Sequence, residues 1–133
     1  IIIMKNKEYK IFFILFLIQY LWDVLTSPKC IGRIGNYLLS IHHLLSIYII
    51  FGAFLFNPKY HLFTLIILLI HWLTNKNECF VTNWTNHYCG YDKGRPFQDI
   101  TIKLKLRENI SENIHWYFIL LLIIYDIKQI YKL

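Results

Sequence analysis

Three histidines and one aspartate sit where a redox or metal centre would need them. His43 falls within one apolar stretch, His71 and His115 at the ends of two others, and Asp23 near the end of a fourth. Ionisable groups embedded in apolar segments are costly, so they are functional candidates by default. His43 stands about 14 residues before the Asn57-Pro58-Lys59 turn and His71 about 12 residues after it, which at 1.5 Å per helical residue is about 21 and 18 Å. Antiparallel helices would bring both imidazoles to one depth, with His115 and Asp23 on the same side. Two facing imidazoles on antiparallel helices can hold haem, so one expectation is a haem or metal site using two of His43, His71 and His115. The competing expectation is polar packing at head-group depth. Trp72 follows His71 and Trp116 follows His115, and indole prefers that depth. The second expectation carries more weight, with no cofactor and no metal ligand assigned. Asp23 then pairs with a neighbouring His, Lys or Arg, or reaches water. Ser40, His43 and Ser46 share a helical face by spacing.

The 3 cysteines are Cys30, Cys79 and Cys89. In an oxidising compartment Cys79 and Cys89 could close a small disulfide loop and leave Cys30 odd, the alternative being free thiols. A zinc site from Cys79, His87 and Cys89 lacks the close paired spacing and an obvious fourth ligand. Asn83-Trp84-Thr85 and Asn109-Ile110-Ser111 are possible glycosylation sites. Gly-rich phosphate loops, nucleophile elbows, paired-His protease motifs and deaminase motifs are absent, so no enzyme is expected. Glu78 and Asp92 read as solvated charges.

Composition then fixes the setting. Of 133 residues, 56% are hydrophobic and only 17% charged, against about 25% in an ordinary soluble domain. A soluble globule of this size could not hide such apolar runs, and disorder requires low hydrophobicity. The net charge of +6 is scattered and forms no stripe, so membrane-flanking cations are favoured over nucleic-acid binding. Part of the Ile, Lys, Asn, Phe and Tyr excess follows AT-rich codons. Met4 is a candidate start.

The expected fold is an all-α membrane protein, a single membrane domain of four transmembrane helices near 11–26, 37–56, 60–73 and 113–131. One long polar loop, 74–112, joins the third and fourth. All 3 prolines (Pro28, Pro58, Pro96) avoid these spans. Trp22, Trp72 and Trp116 would anchor the loop-side interface, with Tyr9, Tyr60, Tyr125 and Tyr131 near the other. The first span reads as an uncleaved anchor, since it lacks a small-residue cleavage site. Lysines in short segments favour cytosolic termini. Ile100, Ile102, Leu104 and Leu106 alternate with polar residues, which predicts an extended segment. Ser111 is the expected N-cap of the fourth helix. Small-xxx-small motifs are missing, so helix contacts are expected to use Ile, Leu and Phe.

The stretch His71-Trp72-Leu73-Thr74-Asn75-Lys76-Asn77-Glu78-Cys79-Phe80-Val81-Thr82 resembles a group of small, uncharacterised multi-pass proteins of large eukaryotic DNA viruses. The likeness covers about residues 38–98. A weaker one links the Cys-x-x-Thr helix end to small bacterial membrane proteins. The viral resemblance implies a component of a host endomembrane or of an internal virion membrane, and no catalytic residues. Physically, Asn77 and Thr82 are expected to satisfy backbone groups freed at the helix end, with Cys79 packing as a small apolar residue. The functional expectation is a structural or interaction component in the lipid bilayer, docking a protein partner through the 74–112 loop. The alternative is a small haem- or metal-binding subunit of a membrane redox complex. A transporter or channel role ranks third.

Overall fold

The computed structural model describes residues 6–91 and 104–132, and among them the chain is helical with no strand. The elements are α1 (Asn6–Thr26), α2 (Arg33–Leu55), α3 (Pro58–Thr74), α4 (Phe80–Cys89), α5 (Leu106–Asn109) and α6 (Ile114–Tyr131). Three of them, α1, α2 and α6, are long and apolar enough to cross a membrane. The integral-membrane reading therefore stands at that level. α3 is as apolar along its length but has 17 residues.

Each boundary has a local cause. Asn57 caps α3, its side-chain oxygen accepting from the Lys59 N–H at 2.9 Å, and Pro58 opens the helix. Proline is suited to a first turn, where its missing N–H costs nothing. That cap makes the α2–α3 hairpin tight. α3 ends where Lys76 and Asn77 take left-handed backbone angles (φ 54° and 61°) and the Asn77 N–H returns to the Trp72 carbonyl at 2.8 Å. Such a reversal satisfies carbonyls left open at a helix end. Thr82, in contrast, bonds a side chain on α2 instead of the α3 terminus. The fourth long helix is capped at Asn113, not Ser111. The Ser111 hydroxyl lies two residues earlier and accepts from the Asn113 N–H at 3.3 Å.

α2 is the hub, packing against α1, α3, α4 and α6. The core lies between α2, α3 and α6, where Ala53, Leu65, Ile119 and Leu122 are buried beside Ile49, Leu68, Trp72 and Tyr125. α1 buries one residue, Asp23. Its apolar faces point outward, as expected where lipid is the solvent.

The 74–112 segment is not a plain loop. It holds α4 and α5. Leu106 and Arg107, the last pair of the alternation, are helical where an extended segment is expected, and a local i to i+4 turn forms there (Ile110 N–H to Leu106 O, 2.9 Å). Residues 100–103 and Asp92 lie outside the described residues. α4 runs antiparallel to α2, with Thr82 bonded to His42 and Cys89 against Gly35. Cys89 is joined to Cys30, with a Cα–Cα distance of 4.5 Å. The pairing Cys79–Cys89 is thereby corrected, and Cys79 is a half-buried free thiol. The helical run from Phe80 carries Cys89 about 15 Å from Cys79, toward the start of α2. Small residues do mediate helix contacts, contrary to expectation. A Cβ on Gly35 would stand 2.7 Å from both sulfurs of the bridge.

Candidate functional site

Among the described residues, four of the six buried polar groups form two aspartate–histidine pairs. The first joins α1 to α2. His43 Nε2 lies 2.9 Å from Asp23 Oδ2, and both side chains are buried. Asp23 Oδ1 accepts from the Ser27 hydroxyl at 2.6 Å. The other ring nitrogen, His43 Nδ1, meets the Gln19 amide nitrogen at 3.2 Å. Gln19 and Asp23, four residues apart, share one face of α1, and Ser27 follows just past its end. Next to His43, His42 Nε2 reaches the Thr82 hydroxyl of α4 at 2.9 Å, with Ser46 at 3.5 Å from its Nδ1. Tyr91, just past α4, feels the same cluster. Its hydroxyl is pushed above the usual tyrosine range by burial first, then by the Asp23 charge and by Tyr20. Of the partners open to Asp23 from sequence (His, Lys, Arg or water), the structure places His43 beside it.

The second pair ties α3 to α6. His61 Nδ1 lies 2.6 Å from Asp126 Oδ2, with both side chains fully buried. His61 Nε2 lies 3.1 Å from the Ile49 carbonyl of α2. A carbonyl only accepts, so Nε2 carries a hydrogen. The short Nδ1–Oδ2 contact then holds one proton between ring and carboxyl. Whichever atom that proton sits on, the pair is neutral overall, which suits a site walled by Leu65, Ile119 and Leu122. Tyr48 packs edge-on against the ring at 5.4 Å between centroids. Gly52 makes the approach possible, since a Cβ there would stand 2.4 Å from His61 Cδ2 and 2.9 Å from Nε2. Gly52→Ala is expected to push the ring off the Ile49 carbonyl and to lower stability by about 1–3 kcal/mol, read as an earlier unfolding midpoint in detergent. An unchanged midpoint would show that the ring has room to give way.

His43, His71 and His115 each meet a different partner. His43 has both ring nitrogens engaged with α1. His71 Nε2 accepts the Phe80 backbone N–H at 2.9 Å, capping α4 from outside. His115 stacks edge-on against Trp72 at 5.0 Å. Among the described residues no group of three or more His, Cys, Asp or Glu is placed to hold a metal. Cys89 is bridged, so it offers no thiolate to a zinc site with Cys79 and His87. Trp72 and Trp116 touch at 5.4 Å between centroids, at the end of α3 and the start of α6, while Trp22 stands in the last turns of α1. Asn83 and Asn109 are both exposed, and Asn83 donates to the Glu78 carboxylate at 3.2 Å.

The pair His61–Asp126 was not anticipated from sequence. The available signal was Asp126 inside the apolar run Ile114–Ile127, and His61 at the start of the third span. No protein-family model, curated protein or solved structure matches the chain.

Proposed function

We propose that the protein is a structural or interaction component of a membrane, with four spans and a docking element on the loop side. Several observations support this reading. α3 is about 25 Å long, near the hydrocarbon thickness of thinner bilayers, about 27 Å. The ends of α1 and α3 and the start of α6 fall near the level of His42 and His43. Asp23, three residues before the end of α1, bonds His43, and His71, three before the end of α3, caps the helix that bonds His42. The first turns of α2 then project beyond the other spans, carrying α4 and the Cys30–Cys89 bridge. Disulfides persist in oxidising compartments, which supports an exoplasmic loop side and cytosolic termini. On the resemblance noted above, the membrane proposed is a host endomembrane or an internal virion membrane.

The single observation that carries the docking role is the outer face of α4. Thr85 and Cys89 are buried toward α2, while Phe80, Trp84 and Tyr88, at spacings of four, are exposed by 42%, 46% and 45%. Aromatic residues presented on a stapled helix are typical anchors for a protein partner. The test is site-specific photocrosslinking from position 84 in native membranes. We expect one discrete protein adduct, lost in Tyr88→Ser together with Phe80→Ser and absent from a lipid-facing control at Leu121. Adducts to lipid alone would sink the reading.

A further inference from the structure

We propose that the end of the bundle opposite α4 binds anionic phospholipids, with lysines from three helices taking head-group phosphates that carry no internal counter-charge. The inference rests on the span reading above and adds to it the lipid chemistry of one leaflet.

Ring contacts set the level of that end. Phe56, which caps α2, meets Tyr9 at 6.3 Å and Phe12 at 5.3 Å between centroids, so α1 begins beside the α2–α3 hairpin. Lys10 stands between those two residues and therefore near the depth of Phe56. Lys59 is the second residue of α3, in the same hairpin. Phe54 meets Tyr125 at 5.0 Å and brings the last turns of α6 to this end as well. His61, the partner of Asp126, lies against Gly52, about 6 Å deeper than Phe56. Lys132 follows Asp126 by six residues, about 9 Å along the helix, and so returns to the depth of Phe56. Lys128 sits one turn deeper, from where a lysine stem can carry its ammonium out to head groups.

These four lysines are exposed. The ion pairs among the described residues are both His–Asp, so no carboxylate neutralises the lysines there. The acidic groups described at this end are Glu8, half-buried, and Asp126, buried against His61. The loop-side end, in contrast, mixes its cations with Glu78, Glu108 and Glu112. Depth selects the occupant. A surface for nucleic acid or an acidic protein would raise its cations into water, whereas these lie in the layer where the helices end. Tyr60 and Tyr131, exposed beside Lys59 and Lys132, suit that layer, since a phenol has an apolar body and a polar tip. The Cys30–Cys89 bridge supports an oxidising loop side. The lysine end then faces the cytoplasmic leaflet, where anionic lipids are concentrated.

The test uses the full chain reconstituted in phosphatidylcholine bilayers with a trace of spin-labelled lipid, either phosphatidylglycerol or phosphatidylcholine. Electron paramagnetic resonance gives the fraction of each that the protein immobilises. Phosphatidylglycerol is expected to be preferred about fivefold, the pull of about one lysine on one lipid, and the preference should shrink toward parity at about 0.5 M salt. Replacing Lys10, Lys59, Lys128 and Lys132 together by Gln should abolish the preference, and replacing the same four by Arg should keep it. The loop-side set Lys29→Gln, Lys76→Gln and Lys105→Gln should leave it unchanged. Equal immobilisation of the two lipids by the parent protein would overturn the assignment and leave the lysines to an acidic macromolecule in the adjoining water. A preference that survives the four Gln changes, or falls as far with the loop-side set, would overturn it too. Immobilisation of neither lipid would overturn the spans themselves and the site with them.

Discussion

Asp126→Ala lowers the stability of the protein in detergent by about 3–5 kcal/mol, the largest loss expected from any single side chain. Asp126 is fully buried, and its one hydrogen-bond partner among the described residues is the fully buried ring of His61. Truncation leaves Nδ1 without a hydrogen-bond partner in a dry core and opens a cavity beside Leu122 and Ile119, and the two costs add. Asp126→Asn separates polarity from charge. An asparagine amide can donate to Nδ1 while Nε2–H stays on the Ile49 carbonyl, so this change should cost about 1 kcal/mol. Equilibrium unfolding in mixed micelles, followed by helical circular dichroism, measures both. A double-mutant cycle with His61→Ala isolates the pair, because two residues in contact give a coupling that distant ones lack. Asp126→Ala within about 0.5 kcal/mol of the parent protein would show that the pair contributes little.

The helices were legible because their apolar runs are long and no proline interrupts them. The α2–α3 turn was legible too, since Asn57-Pro58 carries both a capping side chain and a first-turn proline. Partner choice was not. Asp23 announces itself as a charge at a helix end, but whether it meets a cation or a histidine depends on how α1 rotates against α2. The sequence pattern holds no strong stripe on α1 to set that rotation. His61–Asp126 joins residues 65 positions apart, and only the folded bundle brings them together. α4 was missed for a different reason. Its run Phe-Val-Thr-Asn-Trp-Thr-Asn-His-Tyr-Cys is rich in β-branched and Asn residues, which favour helix weakly. Tertiary contacts outweigh that preference: the bridge to Cys30, the His42–Thr82 bond and the cap supplied by His71. The disulfide pairing followed from the same oversight. A loop between Cys79 and Cys89 would let them meet, whereas a helix holds them apart.

Removing the bridge with Cys30→Ser and Cys89→Ser should cost about 4 kcal/mol, the chain-entropy value for closing a loop of 59 residues. The loss should be local in its consequences. α4 packs on α2 through the bridge, the His42–Thr82 bond and the contact of Cys89 with Gly35. The α2–α3–α6 core touches none of these. Amide exchange in the double variant should therefore rise across α4 and the first turns of α2 and remain slow around Leu65 and Ile119. Uniform protection would mean that α4 is held by its packing alone. Uniform loss would mean that the bridge stabilises the whole bundle. The same cysteines test the orientation. Cys79 is free and half-buried, so a thiol reagent should modify it without reduction, and Cys30 and Cys89 only after reduction. With an impermeant reagent on sealed vesicles, all three thiols should react from one face, the face opposite the lysines at the start of α1 and the end of α6. Labelling from the lysine side would overturn the exoplasmic placement proposed for α4.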